Sequence, residues 1–303
     1  MHMAGYETPA AFDRALKKAV REAGMDPGIG YRQGLRDRFL CRVFGDKDER
    51  FILKGGGNML ARIPDARNSR DLDFATSKRE TKESALEALD ELLSNDLGDW
   101  CRFVLEDCEE SMDDNGYSRL LRLRYATYIG DEEKDPILID LSLDCEVTMR
   151  PERLEPRNRI ALEGVEVCDY LLYPLEDQMA DKLCAIMEMH PGGFRSSRMK
   201  DLVDVVTYVS HERFELRALS SAISEECRRR GMVVPESFEA PPEWAAGFAA
   251  FARRNGVPDE YCAFDAACTL ASEFYNPALV SIDTLCRLQW SYIRLVWESG
   301  IGD

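Results

Sequence analysis

Three consecutive glycines, Gly55-Gly56-Gly57, follow directly on the apolar run Phe51-Ile52-Leu53 and a single lysine, Lys54. So short an apolar run reads as a buried strand. The glycines end it, because residues without a Cβ let the backbone turn tightly and approach another group closely. Residues 58–63 then suit a short helix and 64–70 a polar loop, before the alternating Asp71-Leu72-Asp73-Phe74. In an extended strand, side chains two apart share a face, so Asp71 and Asp73 project together while Leu72 and Phe74 enter a core. Segment 51–74 therefore predicts a strand, a glycine turn, a short helix, a loop and a second strand that presents two carboxylates.

Two neighbouring carboxylates repel each other. Keeping both ionised calls for a compensating cation, and hard oxygen ligands make Mg²⁺ or Mn²⁺ the simplest choice. In Ile137-Leu138-Ile139-Asp140-Leu141-Ser142-Leu143 the odd positions are all apolar, which leaves Asp140 on the opposite face as a third candidate ligand. Asp144 is its competitor. Two ions about 3.5–4 Å apart would activate an attacking hydroxyl and bind the α-phosphate and leaving pyrophosphate of a nucleoside triphosphate (NTP). The glycine turn suits the same substrate, since its backbone N–H groups and the start of the following helix favour an anion. No Gly-Lys-Ser/Thr follows, so this is not a Walker A loop, and the glycines are not spaced as in a dinucleotide fingerprint.

Elsewhere, helical spacing is carried by Phe12, Leu16, Ala19 and Val20, by Tyr31, Leu35, Phe39 and Val43, and by Leu86, Leu89, Leu92 and Leu93. Strands are expected over 102–105, 119–127 and 137–143. Beyond Gly164 the pattern turns almost wholly helical, with stripes such as Leu175, Met179, Leu183 and Ile186, a linker over 235–242, and a last helical group opened by Trp244, Phe248 and Phe251. The fold class expected is α/β (α+β). A mixed-sheet core with N-terminal helices would occupy 1–165, and a helical domain 166–303.

No apolar run is long enough to cross a bilayer, and the amino terminus lacks a basic stretch leading into an apolar core. The ten cysteines are scattered singly and read as reduced core thiols, so the chain is expected to be cytoplasmic, with no membrane partner. With only His2, His190 and His211 available, a histidine-based zinc site or a Ser-His-Asp triad is improbable. Any metal must be held by carboxylates.

A glycine pair followed closely by Asp-x-Asp, with a further Asp on a later strand, resembles the polymerase-β-like nucleotidyltransferase superfamily. The fuller strings Leu53-Lys54-Gly55-Gly56-Gly57-Asn58-Met59-Leu60 and Arg67-Asn68-Ser69-Arg70-Asp71-Leu72-Asp73-Phe74 resemble, more narrowly, the AbiEii/AbiGii nucleotidyltransferase toxins, including the MenT group. Pro174-Leu175-Glu176-Asp177-Gln178-Met179-Ala180-Asp181-Lys182-Leu183 and Arg198-Met199-Lys200-Asp201-Leu202-Val203-Asp204 resemble that family's two helical motifs.

The resemblance implies that Asp71 and Asp73, with Asp140, bind the metals. It implies that Gly55, Gly56, Gly57, Ser69 and Arg70 contact the triphosphate, that Lys182 neutralises it, and that Asp201 orders Lys182 or the nucleotide. Lys182 also stands beside its helix's apolar stripe, where a compact ammonium suits phosphate better than packing. Asp204 reads as structural.

The implied activity is Mg²⁺-dependent transfer of NMP from an NTP to RNA, at the tRNA 3′ end, by a toxin with a cognate antitoxin. A small molecule, as in antibiotic adenylylation, or a protein side chain is the alternative acceptor. The net charge of −17 runs against a binder of many phosphates. An RNA acceptor therefore predicts a local basic strip beside Asp71 and Asp73, drawn from residues such as Arg67, Arg70, Lys78, Arg79, Arg122 and Arg124.

Overall fold

The computed structural model describes residues 5–45, 49–112, 118–190, 192–280 and 287–299. The chain divides into two compact units: Met1–Pro64, Asn68–Glu146 and Pro151–Leu172 form the first, and Asp65–Arg67, Val147–Arg150 and Tyr173–Asp303 the second.

The first unit opens with helices α1 (Pro9–Glu22) and α2 (Pro27–Gly45). Thr8 caps α1, its hydroxyl accepting from the Ala11 N–H at 3.1 Å, and Pro9 supplies a pre-set φ at the first position. Strand β1 (Phe51–Lys54) passes straight into α3 (Gly55–Arg62), so the helix starts on the first glycine rather than at residue 58. After it come β2 (Leu72–Thr76), α4 (Lys82–Leu93), β3 (Cys101–Met112), β4 (Arg119–Ile129), β5 (Glu132–Ser142), β6 (Glu152–Leu154) and β7 (Tyr170–Leu172). They form a mixed sheet of order β3-β4-β5-β2-β1-β7-β6, in which β2 runs parallel to β5, and β1 to β7.

Alternation over Leu72–Phe74, Leu121–Leu123 and Ile139–Leu141 divides the faces in the middle of this sheet. Leu53, Phe74, Leu141 and Leu121 are successive register partners on the apolar face, as are Leu72, Ile139 and Leu123, and all are buried. Helix α2 covers that face: the Phe39 ring lies 5.1 Å from Phe103 and 5.5 Å from Tyr125, and Phe44 lies 5.9 Å from Phe74. Such edge-to-face and tilted contacts add to the area buried.

Two arginines of α2, Arg38 and Arg42, point into this core and meet one carboxylate, Asp99. Arg38 Nε donates to Asp99 Oδ2 at 2.6 Å, Arg42 Nη2 donates to Oδ1 at 2.7 Å, and the Cys101 N–H donates to Oδ1 at 2.9 Å. Burial alone would raise the Asp99 pKa, but the two guanidiniums outweigh it and hold the carboxyl below its ordinary range.

The second unit contains α5 (Leu175–Met187), α6 (Met199–Val209), α7 (Leu216–Arg229), α8 (Ala245–Arg254) and α9 (Phe264–Leu279). It is not wholly helical. A short hairpin pairs β8 (Met189–His190) with β9 (Phe194–Arg195), and a second pairs β10 (Leu288–Ser291) with β11 (Val296–Ser299). Trp290 and Trp297 are cross-strand partners there, packing on Phe274 at 5.1 and 5.4 Å. Among the described residues no helix is long and apolar enough to cross a membrane.

Candidate active site

Register builds the site in the first unit. Asp73 on β2 is the parallel partner of Asp140 on β5, so the two carboxylates leave neighbouring strands on one face. Asp73 is also the antiparallel partner of Lys54, Asp140 that of Arg122, and Arg122 that of Glu109. A single polar row thus crosses five strands in the order Lys54, Asp73, Asp140, Arg122, Glu109. Directly opposed side chains have Cβ atoms about 4.5–5.5 Å apart, within reach of one another. Asp71 stands just before β2 and is half-buried, and its Oδ1 accepts from the Ser69 hydroxyl at 2.8 Å.

The glycine turn closes on this row. Gly55 has φ +56°, a left-handed conformation that favours glycine, and a Cβ there would stand 1.9 Å from Asp73 Oδ2. A Cβ on Gly56 would stand 2.6 Å from the Ser69 Cβ, and the Gly56 N–H donates to Asp73 Oδ2 at 3.3 Å. Gly57 instead faces Leu53. Gly55 and Gly56 are therefore the glycines that border the carboxylates, a distinction invisible in the sequence.

Asp144 is placed differently from Asp140. Arg119 clasps it with Nε and Nη2, both at 2.9 Å, and Arg79 adds a bond at 3.1 Å. Arg119 holds its carboxyl below the ordinary range.

Sequence reasoning missed Arg36. From α2 its Nη1 donates to the Ser69 carbonyl at 2.8 Å and its Nη2 to the Arg70 carbonyl, which fixes the backbone just ahead of Asp71. Burial lowers the pKa of this guanidinium, while the Asp71 charge opposes the shift. Arg36 is a positioning residue. Replacing it with Ala should lower nucleotidyl transfer by about tenfold or more by freeing the Asp71 backbone. The loss should fall mainly on kcat, with partial rescue by Arg36→Lys; steady-state kinetics against NTP would separate this from a general loss of folded protein.

In the second unit, Lys182 of α5 is buried rather than at the border of its helix's buried face, with 5% exposure. Its Nζ donates to Asp204 Oδ2 at 2.6 Å and to Asp201 Oδ1 at 3.2 Å, both on α6. Arg67 grips Asp204 through Nε and Nη2 at 2.6 and 2.8 Å, and Arg198 Nε donates to Asp201 at 2.7 Å. Burial would strip the Lys182 proton, but Asp204 and Asp201 reverse the effect and keep the ammonium charged. The cluster holds three cations against two carboxylates. Asp177, earlier on α5, holds residues 148 and 149 by accepting from the Thr148 hydroxyl at 2.7 Å and from the Thr148 and Met149 N–H groups.

The cations near the carboxylates alternate with acids instead of forming an unbroken basic strip: Lys54 and Arg122 bracket the aspartates, Arg124 pairs with Glu106 at 3.0 Å, and Arg79 and Arg119 pair with Asp144. Arg70 and Lys78 are exposed.

Among the described residues no three His, Cys, Asp or Glu side chains are gathered closely enough to hold an ion unaided. The donors do fit a hard divalent cation of the Mg²⁺ type, which is held by one or two carboxylates and completed by waters and substrate phosphates. Asp73 and Asp140 are the register-paired candidate ligands, with Asp71 just before β2 as a third.

The first unit thus presents register-paired aspartates on a mixed sheet, beside a glycine turn at the start of a helix. The chain belongs to the nucleotidyl transferase AbiEii toxin family of type IV toxin–antitoxin systems, whose sequence model matches residues 38–269. MenT4, a nucleotidyltransferase toxin from Mycobacterium tuberculosis, has a similar fold (TM-score 0.51, 17% identity, covering 92% of this chain and 91% of that one). JHP933 from Helicobacter pylori aligns with a TM-score of 0.39 and 16% identity over 87% of this chain and 94% of that one. No curated protein matches the chain. The family implies an NTP substrate and an antitoxin partner.

Proposed function

We propose that the protein transfers NMP from an NTP to the 3′ end of tRNA in the cytoplasm, using Asp71, Asp73 and Asp140 as its metal-binding carboxylates. The register pairing of Asp73 with Asp140 beside Gly55 and Gly56 carries this reading. Asp140 is the third carboxylate in preference to Asp144 because it is the register partner of Asp73. Mg²⁺ or Mn²⁺ held there would neutralise the triphosphate and lower the pKa of the attacking hydroxyl. The chain supplies the rest. Gly55 and Gly56 leave room for phosphate oxygens, Ser69 fixes Asp71, and Arg36 fixes the loop carrying both. Arg70, exposed at the end of that loop, is available to the triphosphate. Lys182 is the proposed second-unit cation for the triphosphate, and Asp201 and Asp204 keep it charged.

The basic strip expected of an RNA acceptor is interrupted by acids, as where Arg79 and Arg119 pair with Asp144 and Arg124 with Glu106, which suits a short acceptor end better than a long duplex. Engaging about three single-strand phosphates would weaken tRNA binding by roughly 20-fold between 50 and 200 mM salt. Each of the four NTPs, labelled at the α-phosphate, should be tested with total tRNA over that range. The expected result is labelled RNA with at least one NTP, a KM for tRNA that rises with salt, and no label with Asp71→Ala. RNA left unlabelled by all four would overturn the RNA acceptor, and label on a small molecule or on protein would establish the alternative.

A further inference from the structure

The polar row across the sheet contains two cations that the metal-binding role leaves unused. Lys54 directly faces Asp73, and Arg122 directly faces Asp140, so the register-paired carboxylates are bracketed on both sides by positive charge. Two ionised carboxylates on adjacent strands repel, and like charges directly opposed in a sheet are destabilising. An ammonium and a guanidinium at the flanking positions supply the compensation that a divalent ion would otherwise have to provide.

We propose that Lys54 and Arg122 are built-in counter-ions of the aspartate pair, which compete with the divalent cation; when it binds, Lys54 is released toward substrate phosphate and Arg122 toward Glu109. This rests on the metal-centre reading of Asp73 and Asp140 and adds what that reading lacks: how the charges of the pair are balanced before it is loaded.

Each cation has somewhere to go. Lys54 is the last residue of β1, immediately before Gly55, so its flexible stem ends next to the turn where the triphosphate would lie. Within the fold its Nζ lies 3.8 Å from Cys145 Sγ. Arg122 is exposed, and its other cross-strand partner is Glu109. It can lean to Glu109 when Asp140 turns to the metal, without leaving a charge unbalanced. The two are thus unequal: Lys54 passes from carboxylate to phosphate, whereas Arg122 passes from one carboxylate to another and meets phosphate only if the substrate extends over β4.

Mn²⁺ binding in the absence of nucleotide tests this without any turnover. Free Mn²⁺ would be followed by electron paramagnetic resonance with the wild type, Lys54→Met, Arg122→Leu and Asp73→Asn, and tripolyphosphate binding would be measured at saturating Mn²⁺. Removing a cation next to a partly exposed site should tighten Mn²⁺ binding about three- to tenfold in Lys54→Met and in Arg122→Leu. Lys54→Met should weaken tripolyphosphate binding by about the same factor, Arg122→Leu should leave it nearly unchanged, and Lys54→Arg should keep wild-type Mn²⁺ affinity. Mn²⁺ affinity that is unchanged or lower in both folded neutral variants would overturn the counter-ion role. Equal Mn²⁺ binding by the wild type and Asp73→Asn would instead overturn the metal centre itself. Should Lys54→Met not fold, the exposed Arg122→Leu alone decides between competition and its absence.

Discussion

Asp73→Asn is expected to lower nucleotidyl transfer by about a thousandfold or more while leaving thermal stability nearly unchanged. The rate loss follows from removing one of the two register-paired carboxylates proposed to hold the metal, because a bound divalent ion contributes several kcal/mol of charge stabilisation, and every 1.4 kcal/mol is about tenfold in rate. Stability should change little. Asp73 stands beside Asp140 and faces Lys54, so the repulsion relieved on neutralising it is offset by the lost counter-charge to the ammonium. The Asn oxygen can still accept from the Gly56 N–H, so the turn keeps its shape. Single-turnover transfer and a melting curve on the same preparation check both halves. A variant that loses activity only in proportion to folded protein would show that Asp73 serves the fold and not the reaction.

The largest stability effect should come from Asp99→Ala, which leaves Arg38 and Arg42 buried with no carboxylate between them. Breaking a buried ion pair from one side costs about 3–5 kcal/mol, a large fraction of the roughly 5–15 kcal/mol that holds a domain together. Denaturant titration of the variant should show the midpoint collapse without a matching change in slope.

The same carboxylate gives stability a pH dependence. Its folded pKa lies below the unfolded value of about 3.9, so the stabilisation is complete above that value and is lost as pH falls through the folded pKa. Asp204, held low by Lys182 and Arg67 against the effect of burial, behaves in the same way. The protein should therefore stay stable down to about pH 4 and unfold below it, and Asp99→Ala should flatten that acid limb.

Local chemistry that repeats along the chain was legible in the sequence. The glycine turn, the Asp-x-Asp strand and the alternation around Asp140 each follow from neighbours within a few residues. What closes the site does not. Lys54 meets Asp73, and Arg122 meets Asp140, through strand register, which no single strand encodes. Arg36 reaches Ser69 from a helix 33 residues earlier, and nothing in its own surroundings distinguishes it from the other arginines of α2.

Strand β3 extends to Met112 through Glu106, Asp107, Glu109 and Glu110, which are exposed. With no buried face at those positions there is no alternation to read. Trp290 and Trp297 are two helical turns apart in sequence, so a hairpin pairing them imitates helical spacing. Asp99 sits in a turn of ordinary composition, and its importance comes wholly from the two arginines folded over it. The helical motifs were legible as motifs, but the burial of Lys182 between Asp201 and Asp204 comes from α6 packing on α5.

Transfer of a whole nucleotide to a tRNA end is the central proposal, and the mass and sequence of that end test it most directly. Total tRNA would be incubated with the protein, Mg²⁺ and each NTP in turn, and its 3′ termini sequenced alongside an Asp73→Asn control. The expected result is one or more extra nucleotides at the 3′ end of some tRNA species with the wild type only. Unextended tRNA with all four NTPs, together with nucleotide attached to a protein or small molecule, would contradict it.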